Sequence, residues 1–119
     1  MKKLSFQNKK VLVTGGTGMI GRELVHLLAN KGAKLYIVSL DEPHNLPPGV
    51  TFFKEDLVHF QNCLKVCEGM DYVFNLVGVK GSPKMCKEQP ADFMVPMLQF
   101  NTNMMEAARR CGVKWYLYT

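Results

Sequence analysis

The hydrophobic pattern of the chain alternates short apolar runs with longer amphipathic stretches. Val11 to Val13 form an apolar run that ends at Thr14 and a group of glycines, which predicts a buried strand. Further runs that predict strands lie at 35–39, 50–54, 71–77 and 115–118. Strands that alternate with helical patterns in this way are typical of β-α-β units, in which helices cover both faces of a parallel sheet.

Two helices are predicted between the first four strands. From Met19 to Asn30, apolar residues recur every three or four positions, and Gly32 supplies a left-handed stop. A short helix over 60–68 ends at Gly69. The residues of the first helix that we expect to face the core are Ile20, Leu24, Leu27 and Leu28.

The last third of the chain predicts an interrupted helix and a fifth strand. Pro90 suits a first helical position, whereas Pro96 lacks an N–H group and would kink or restart a helix. We therefore expect a short helical piece and then a helix over 96–111, closed by Gly112. Because the aromatic strand at 115–118 would otherwise be an exposed edge, we expect the natural protein to continue or another chain to cover it.

Composition and charge narrow the possible functions. The 119 residues suit one domain or part of one, and a hydrophobic content of 47% is enough for a core. A net charge of +5 favours acidic ligands such as phosphates. Apart from a cluster of lysines near the N-terminus, the basic residues are scattered without interleaved aromatics, which argues against nucleic-acid binding. No apolar run approaches the roughly 20 residues that a membrane span needs, so no membrane partner is expected.

The four cysteines indicate free thiols rather than disulfides or a metal site. They form no C-x-x-C pair and follow no secretory signal, which favours a reducing, cytoplasmic location. Cys63 and Cys67 would share one face of a helix, but no nearby His or Cys pair completes four ligands. No metal site is therefore assigned.

The segment Thr14-Gly15-Gly16-Thr17-Gly18-Met19-Ile20-Gly21 joins the first strand to the first helix. Gly15 allows the tight turn, Gly18 lets the backbone approach a pyrophosphate, and Gly21 permits close helix-to-sheet packing. Free N–H groups at the helix start attract the anion. A purely structural turn is the alternative, but the preceding strand, the amphipathic helix and the second strand ~20 residues on are the context that a dinucleotide fingerprint requires.

The spacing G-x-x-G-x-x-G resembles that of the extended short-chain dehydrogenase/reductase family, which includes the NAD-dependent nucleotide-sugar epimerases and dehydratases. This resemblance spans nearly the whole chain. It implies a Rossmann-type, doubly wound parallel sheet of about five strands in the order 3-2-1-4-5, with flanking helices. Residues 1–119 would then be the N-terminal portion of an NAD(P)-binding domain, a fragment without the catalytic and substrate-binding parts.

Three further segments carry the resemblance. Asp56, in Lys54-Glu55-Asp56-Leu57, is similar to residues of the family that hydrogen-bond the adenine, and Leu57 would line the adenine pocket. Asp56 is also a good helix N-cap, and one residue can do both. The run Val73-Phe74-Asn75-Leu76-Val77-Gly78 resembles the fourth strand that passes beneath the cofactor, although the family usually has His and Ala-Ala there. Asn101 resembles the structural Asn of a helix beside the catalytic centre.

The end of the second strand decides the choice between NAD and NADP. NAD binders usually place an acid there to accept the ribose hydroxyls, whereas NADP binders place an Arg. The family's acidic position falls on Ser39, and Asp41 follows without an Arg or Lys in the loop, so NAD is preferred and NADP is the alternative. The alternative role for Asp41 is to begin the turn before Pro43. The residues predicted to bind the cofactor are Gly15, Thr17, Gly18, Met19, Ile20, Gly21, Ser39, Asp41, Asp56, Leu57, Leu76, Val77 and Gly78.

No catalytic residue is assigned. The resemblance implies a Ser/Thr, a Tyr and a Lys, the last two spaced Y-x-x-x-K. Tyr36 and Tyr72 are followed four residues later by Leu40 and Leu76, and the corresponding positions after the last two tyrosines lie beyond the chain. Thr119 is not given a catalytic role either.

The resemblance leads to one main hypothesis and two alternatives. The main hypothesis is the dinucleotide-binding part of an oxidoreductase-type, NAD-dependent epimerase/dehydratase that acts on a nucleotide-sugar through transient hydride transfer. The complete protein would form a homodimer in the cytoplasm. The first alternative is a non-catalytic NAD(P)-sensing or interaction module, and the second is an NADPH-dependent reductase of a small carbonyl compound.

Overall fold

The computed structural model describes residues 5–16, 18–42, 45–76, 88 and 90–118. They form one parallel sheet of five strands with the order β3-β2-β1-β4-β5, which confirms the order expected for a Rossmann-type fold. The elements in chain order are β1 Lys10–Thr14, α1 Met19–Asn30, β2 Lys34–Ser39, β3 Thr51–Lys54, α2 Phe60–Cys67, β4 Tyr72–Asn75, α3 Pro90–Arg110 and β5 Trp115–Tyr118.

The central strand β1 lies between β2 and β4, and this position defines where a ligand can bind. Val13 is opposite Ile37 of β2 on one side and Phe74 of β4 on the other. The chain winds outward from β1 through β2 to β3, and then crosses back to β4 and β5. In open parallel sheets of this kind, ligands bind in the crevice outside the carboxyl ends of the strands, where the winding direction reverses. Here that crevice lies beside Thr14 and Asn75.

Alternate residues of each strand point to opposite faces of the sheet and build two cores. On one face, Leu12 and Val73 pack with α2 and α3, and on the other, Val11 and Val13 pack with α1. The face of α1 that is buried contains Gly21, Val25 and Leu28. Leu24 is half-buried, as predicted, whereas Ile20 and Leu27 are 73% and 53% exposed.

The prediction that Ile20 and Leu27 face the core is therefore wrong. Residues 21, 25 and 28 follow the four-and-three spacing of a helical face, and this face is turned toward β1 and β2. Ile20 lies instead on the first, open turn of the helix. The sequence pattern identified the helix correctly and its orientation only in part.

The predicted interruption at Pro96 is also wrong, because α3 is one helix from Pro90 to Arg110. A proline inside a helix removes one N–H, here the one that would donate to the carbonyl of Asp92. Asp92 is exposed near the helix start, where water can serve that carbonyl in place of the missing N–H. The predicted stop is confirmed: Gly112 has φ +72°, and the N–H of Val113 donates to the Ala108 carbonyl at 3.0 Å.

Cys63, Cys67 and Cys111 are free thiols, whereas Cys86 lies outside the described residues. Burial raises the pKa of Cys63 to about 11 and that of Cys67 to about 12, so both are protonated at neutral pH. Within the described residues, no group of three or more His, Cys, Asp or Glu side chains is placed to hold a metal ion. None of the helices described is both long and apolar enough to cross a membrane.

Candidate functional site

The glycine loop is tied to the carboxyl end of β2. Gly15 has φ +69°, a left-handed conformation that favours glycine, and its N–H donates to the Val38 carbonyl at 3.1 Å. Gly18 then donates its N–H to the Gly15 carbonyl at 3.1 Å and precedes α1. The loop is therefore a tight turn at the end of β1, as predicted. Thr17, which was also predicted to bind the cofactor, lies outside the described residues.

Gly21 lies against the loop itself. A Cβ atom on Gly21 would be 2.2 Å from the Gly15 carbonyl oxygen and 2.7 Å from the Gly16 Cα. Side chains do not reach such distances, so only glycine allows α1 to begin this close to the turn. The prediction of close packing at Gly21 was right in kind, but the neighbour is the loop backbone rather than the sheet.

Gly16 is a further residue of the loop, and it was not among the residues predicted to bind the cofactor. This residue is buried, and a Cβ atom on it would be 2.7 Å from the Ile37 Cγ2 atom. Gly16 thus lets the loop lie against β2. The paired glycines at 15 and 16 were the available signal, because a turn alone needs only one of them.

Gly18, unlike Gly21, has room for a side chain. Among the residues that the structure describes, a Cβ atom on Gly18 would meet the Gly15 carbonyl oxygen alone, at the ordinary distance of 3.4 Å. The φ of −75° at Gly18 suits any residue. Gly18 is the N-cap of α1 and has no side-chain oxygen to cap the first turn, which also contains no acidic residue. Met19 and Ile20 beside it are 79% and 73% exposed. The start of α1 therefore offers backbone N–H groups and the positive end of the helix dipole to an anion.

A hydrogen-bonded polar network lies beneath this loop. Asn75, which is 1% exposed, accepts from the Thr14 hydroxyl at 2.6 Å. Its amide donates to the Asn101 side-chain oxygen at 3.1 Å and to the Tyr116 hydroxyl oxygen at 2.9 Å. The Asn101 amide in turn donates to the Met97 carbonyl at 2.8 Å. Four elements, β1, β4, β5 and α3, are joined at the carboxyl end of the sheet.

The polar network around Asn75 contains two residues to which the family resemblance had pointed. Asn101 lies beside the end of β4, and Asn75, which departs from the usual family residue, is its partner. The sequence did not reveal Tyr116, which shares this partner. Burial raises the pKa of the Tyr116 hydroxyl, so it is protonated at neutral pH.

Leu76 follows β4 directly, next to Asn75. It is half-buried, and its N–H donates to the Thr14 hydroxyl oxygen at 3.0 Å, which fixes the distance between the ends of β1 and β4. Val77 and Gly78, predicted to contact the cofactor with Leu76, lie outside the described residues. Their cofactor contacts stay predictions.

A charged group that was not predicted from the sequence lies at the end of β2. The Asp41 N–H donates to the Ser39 hydroxyl oxygen at 3.1 Å, so both residues form the turn that leaves β2. Ser39 is opposite Lys54 in the register of β2 and β3. The Lys54 ammonium contacts a Glu42 carboxylate oxygen at 2.8 Å. The loop after β2 contains no Arg or Lys, whereas the sheet brings the ammonium group of Lys54 from β3.

Asp56 and Leu57 lie between β3 and α2. The Asp56 carboxylate accepts the N–H of Val58 at 3.0 Å, and its carbonyl accepts from the Asn62 amide at 2.9 Å. The N-cap of α2 is His59, so Asp56 caps the turn before the helix rather than the helix. Leu57 is 5% exposed and packs in the core with α2 and α3. Contact of either residue with adenine stays a prediction.

Comparisons with known proteins agree with this geometry. A family model described as "NAD dependent epimerase/dehydratase family" matches residues 11–119. GDP-mannose 3,5-epimerase from Arabidopsis thaliana is 32% identical over 94% of this chain and 30% of its own length. A 3 beta-hydroxysteroid dehydrogenase/Delta 5→4-isomerase from Mycobacterium tuberculosis is 28% identical over 92% of this chain and 31% of its own length.

Among solved structures, MoeE5 in complex with UDP-glucose and NAD matches with a TM-score of 0.79 and 27% identity. The match covers 92% of this chain and 35% of that protein. The chain thus spans about a third of the length of the relatives it matches. The family model covers almost the whole sequence and agrees with the fold and with the predicted resemblance, so the chain belongs to the NAD dependent epimerase/dehydratase family.

Proposed function

We propose that this chain is the dinucleotide-binding portion of an NAD-dependent epimerase or dehydratase that acts on a nucleotide-sugar. The observation that carries the proposal is the open start of α1 at Gly18, at the reversal point of the sheet. A side chain at Gly18 would enter the space in front of the helix N-terminus, and a pyrophosphate fits there because it needs close backbone approach and an uncapped first turn.

The residues of this chain would hold NAD in three places. The loop from Gly15 to Gly21 would bind the pyrophosphate, the end of β2 near Ser39 and Asp41 would bind the adenosine ribose, and Asp56 would contact the adenine. Leu76 and the network around Asn75 would support the cofactor from the sheet. Bound NAD would supply the chemistry of reversible hydride transfer.

The substrate class rests on the relatives. The name of one relative contains GDP-mannose, and one solved structure is a complex with UDP-glucose. Both molecules are nucleotide-sugars. Neither Tyr36 nor Tyr72 is followed four residues later by a lysine, and this chain covers 30% of the length of the GDP-mannose 3,5-epimerase. We assign the catalytic Ser/Thr, Tyr and Lys to the part of the relatives' length that this chain does not span. We further propose that the complete protein is a cytoplasmic homodimer.

Dinucleotide binding can be tested directly with Gly18→Val. The valine side chain would occupy the place of the pyrophosphate, so the affinity for NAD should fall by at least ~10-fold. A tenfold loss of affinity corresponds to ~1.4 kcal/mol of binding free energy. The fold should persist, because φ at Gly18 is −75° and a Cβ atom there has ordinary contacts. Isothermal titration calorimetry measures the affinity, and circular dichroism checks the fold.

The matched control is Ala91→Val, which adds a similar bulk at an exposed position of α3 and should bind NAD like the unmodified chain. If Gly18→Val retained full affinity, the loop would not bind the pyrophosphate. If the unmodified chain bound no dinucleotide, the proposed function itself would be wrong. Tighter binding of NADPH than of NADH would instead favour a reductase.

A further inference from the structure

We propose that the amino end of the sheet is a basic surface that docks on anionic phospholipid headgroups. This surface, called the basic edge, consists of the lysines at the starts of the strands and at the end of α1: Lys9, Lys10, Lys31, Lys34 and Lys114. The inference does not depend on dinucleotide binding, because the glycine loop lies at the opposite end of the strands. A surface contact needs no membrane-spanning segment, and a missing span was the basis for expecting no membrane partner.

The sheet brings the lysines of the basic edge together. Lys10, the first residue of β1, is opposite Lys34, the first residue of β2, in the parallel register. The Lys34 N–H donates to the Lys9 carbonyl at 2.8 Å. On the other side of β1, the Lys114 N–H donates to the Asp71 carbonyl at 2.9 Å. Because neighbouring strands lie about 4.8 Å apart, the backbone from Lys34 across β1 and β4 to Lys114 spans about 15 Å.

The positive charge of the basic edge is only partly neutralised. Of its five lysines, Lys114 alone forms an ion pair within the part of the chain that the structure describes, with the Asp71 carboxylate at 3.8 Å. The Lys10 N–H also donates to this carboxylate at 2.9 Å. That hydrogen bond, and then the charges of Lys114, Lys9 and Lys10, lower the pKa of Asp71 and keep it ionised. With Glu68, three residues before Asp71, two acids face five lysines, which leaves a net charge of +3.

The other acidic side chains of this chain do not neutralise the basic edge. The sequence has ten Asp and Glu residues, and all ten lie within the described residues. Glu106 is paired with Arg109 and Arg110 at the end of α3. The remaining seven lie toward the carboxyl end of the strands, in the first half of α1, in the turns after β2 and β3, or around the start of α3.

The composition of the basic edge favours lipid headgroups over nucleic acid. All five cations are lysines, which act as point charges, whereas arginine supplies the planar fork that reads phosphates and bases. Single-stranded nucleic acid also needs exposed aromatic rings for stacking. Tyr72, beside the edge, is 7% exposed and packs edge-to-face against Phe6 and Trp115. An anionic lipid surface requires only a cluster of about four to eight basic residues.

Docking through the basic edge would leave the candidate cofactor site accessible. All five strands are parallel, so the loop after β1 and the turn after β2 lie at the end of the sheet away from the lysines. The crevice beside Thr14 and Asn75 would then face away from the lipid surface. We therefore expect phospholipid and NAD to bind at the same time.

The test is co-sedimentation of the chain with vesicles that contain phosphatidylserine, with vesicles of phosphatidylcholine alone as the neutral reference. We expect binding to the anionic vesicles, and this binding should weaken as salt is raised. One lysine near an anionic surface strengthens binding about 5-fold, so Lys10→Gln combined with Lys34→Gln should weaken it at least ~10-fold. Both side chains are exposed, so circular dichroism should show an unchanged fold.

The matched control is Lys54→Gln combined with Lys65→Gln, which removes the same charge at exposed positions outside the basic edge. These lysines are far from the docked surface and screened by salt, so binding should change less than ~2-fold. Lys10→Arg combined with Lys34→Arg keeps the charge and should bind to the vesicles like the unmodified chain.

Four results would overturn the inference. The first is failure of the unmodified chain to bind vesicles that contain phosphatidylserine. The second is an equal loss in the two glutamine double variants, because binding would then follow net charge rather than the basic edge. The third is tighter binding to a DNA duplex than to these vesicles at the same salt. The fourth is loss of vesicle binding in excess NAD, which would place the anion at the glycine loop.

Discussion

Replacing Asn75 with leucine is expected to lower the free energy of unfolding by about 3 kcal/mol. Leucine has the same number and branching of side-chain heavy atoms, so the main loss is polar: the Thr14 hydroxyl loses an acceptor, while Asn101 and Tyr116 lose a donor. Each polar group left without a partner in a buried site costs about 1–3 kcal/mol. Asn75 is 1% exposed, which limits replacement of these bonds by water.

Urea denaturation followed by circular dichroism measures this loss. Tyr116→Phe removes a single hydroxyl from the same network and should cost about 1 kcal/mol, which provides a milder variant if Asn75→Leu does not fold. The control is Thr102→Val, because the Thr102 hydroxyl also bonds to a helix carbonyl but is exposed. It should change stability by less than about 0.5 kcal/mol. Equal effects of Asn75→Leu and Thr102→Val would show that the network is not important for stability.

Gly21→Ala should destabilise the fold and weaken dinucleotide binding together. Alanine normally gains about 1 kcal/mol over glycine inside a helix. Here the new Cβ atom would be 2.2 Å from the Gly15 carbonyl oxygen, a backbone atom that cannot rotate away. Overpacking of this kind costs about 1–3 kcal/mol or more, so the clash outweighs the gain and we expect a net loss of about 2 kcal/mol. The displaced loop would no longer present its N–H groups to the pyrophosphate.

Gly18→Ala is the matched control, because it adds the same methyl group three residues earlier in the same loop. Its new Cβ atom would be 3.4 Å from the Gly15 carbonyl oxygen, and loss of the N-cap glycine should cost less than about 1 kcal/mol. Thermal unfolding of both variants compares their stability, and calorimetric titration measures the NAD affinity of Gly21→Ala. A Gly21→Ala variant as stable as the unmodified chain would contradict the close contact between α1 and the loop.

Local sequence signals predicted the elements of the fold well. The strands and α1 follow from apolar runs and helical spacing, and Gly32 and Gly112 end their helices with φ values of +80° and +72°. These features depend on neighbours in sequence, so they can be read from it directly. The strand order required the family resemblance, because β1 pairs with strands on both sides that no local pattern identifies.

Features of the site that depend on three-dimensional neighbours were missed. Lys54 comes to Ser39 through sheet register, and Tyr116 comes to Asn75 through a pairing of residues 41 positions apart. Neither contact has a signature within a short window of sequence. The prediction of a helix break at Pro96 was wrong for a related reason. The hydrogen bond that Pro96 cannot make falls near the exposed start of the helix, and this exposure cannot be inferred from the proline itself.

The central position of β1 has a consequence for the synthesis of the protein on the ribosome. Hydrogen bonds between β1 and β4, such as that from the Thr14 hydroxyl to the Asn75 side-chain oxygen, join residues 61 positions apart. At about 5–20 residues per second, β4 is synthesised roughly 3–12 s after β1. During that interval one side of β1, whose residues 11–14 are all buried in the folded protein, has no partner strand. Between the synthesis of β3 and that of β4, this side of β1 is therefore an unpaired strand edge, the kind of surface through which incomplete chains aggregate.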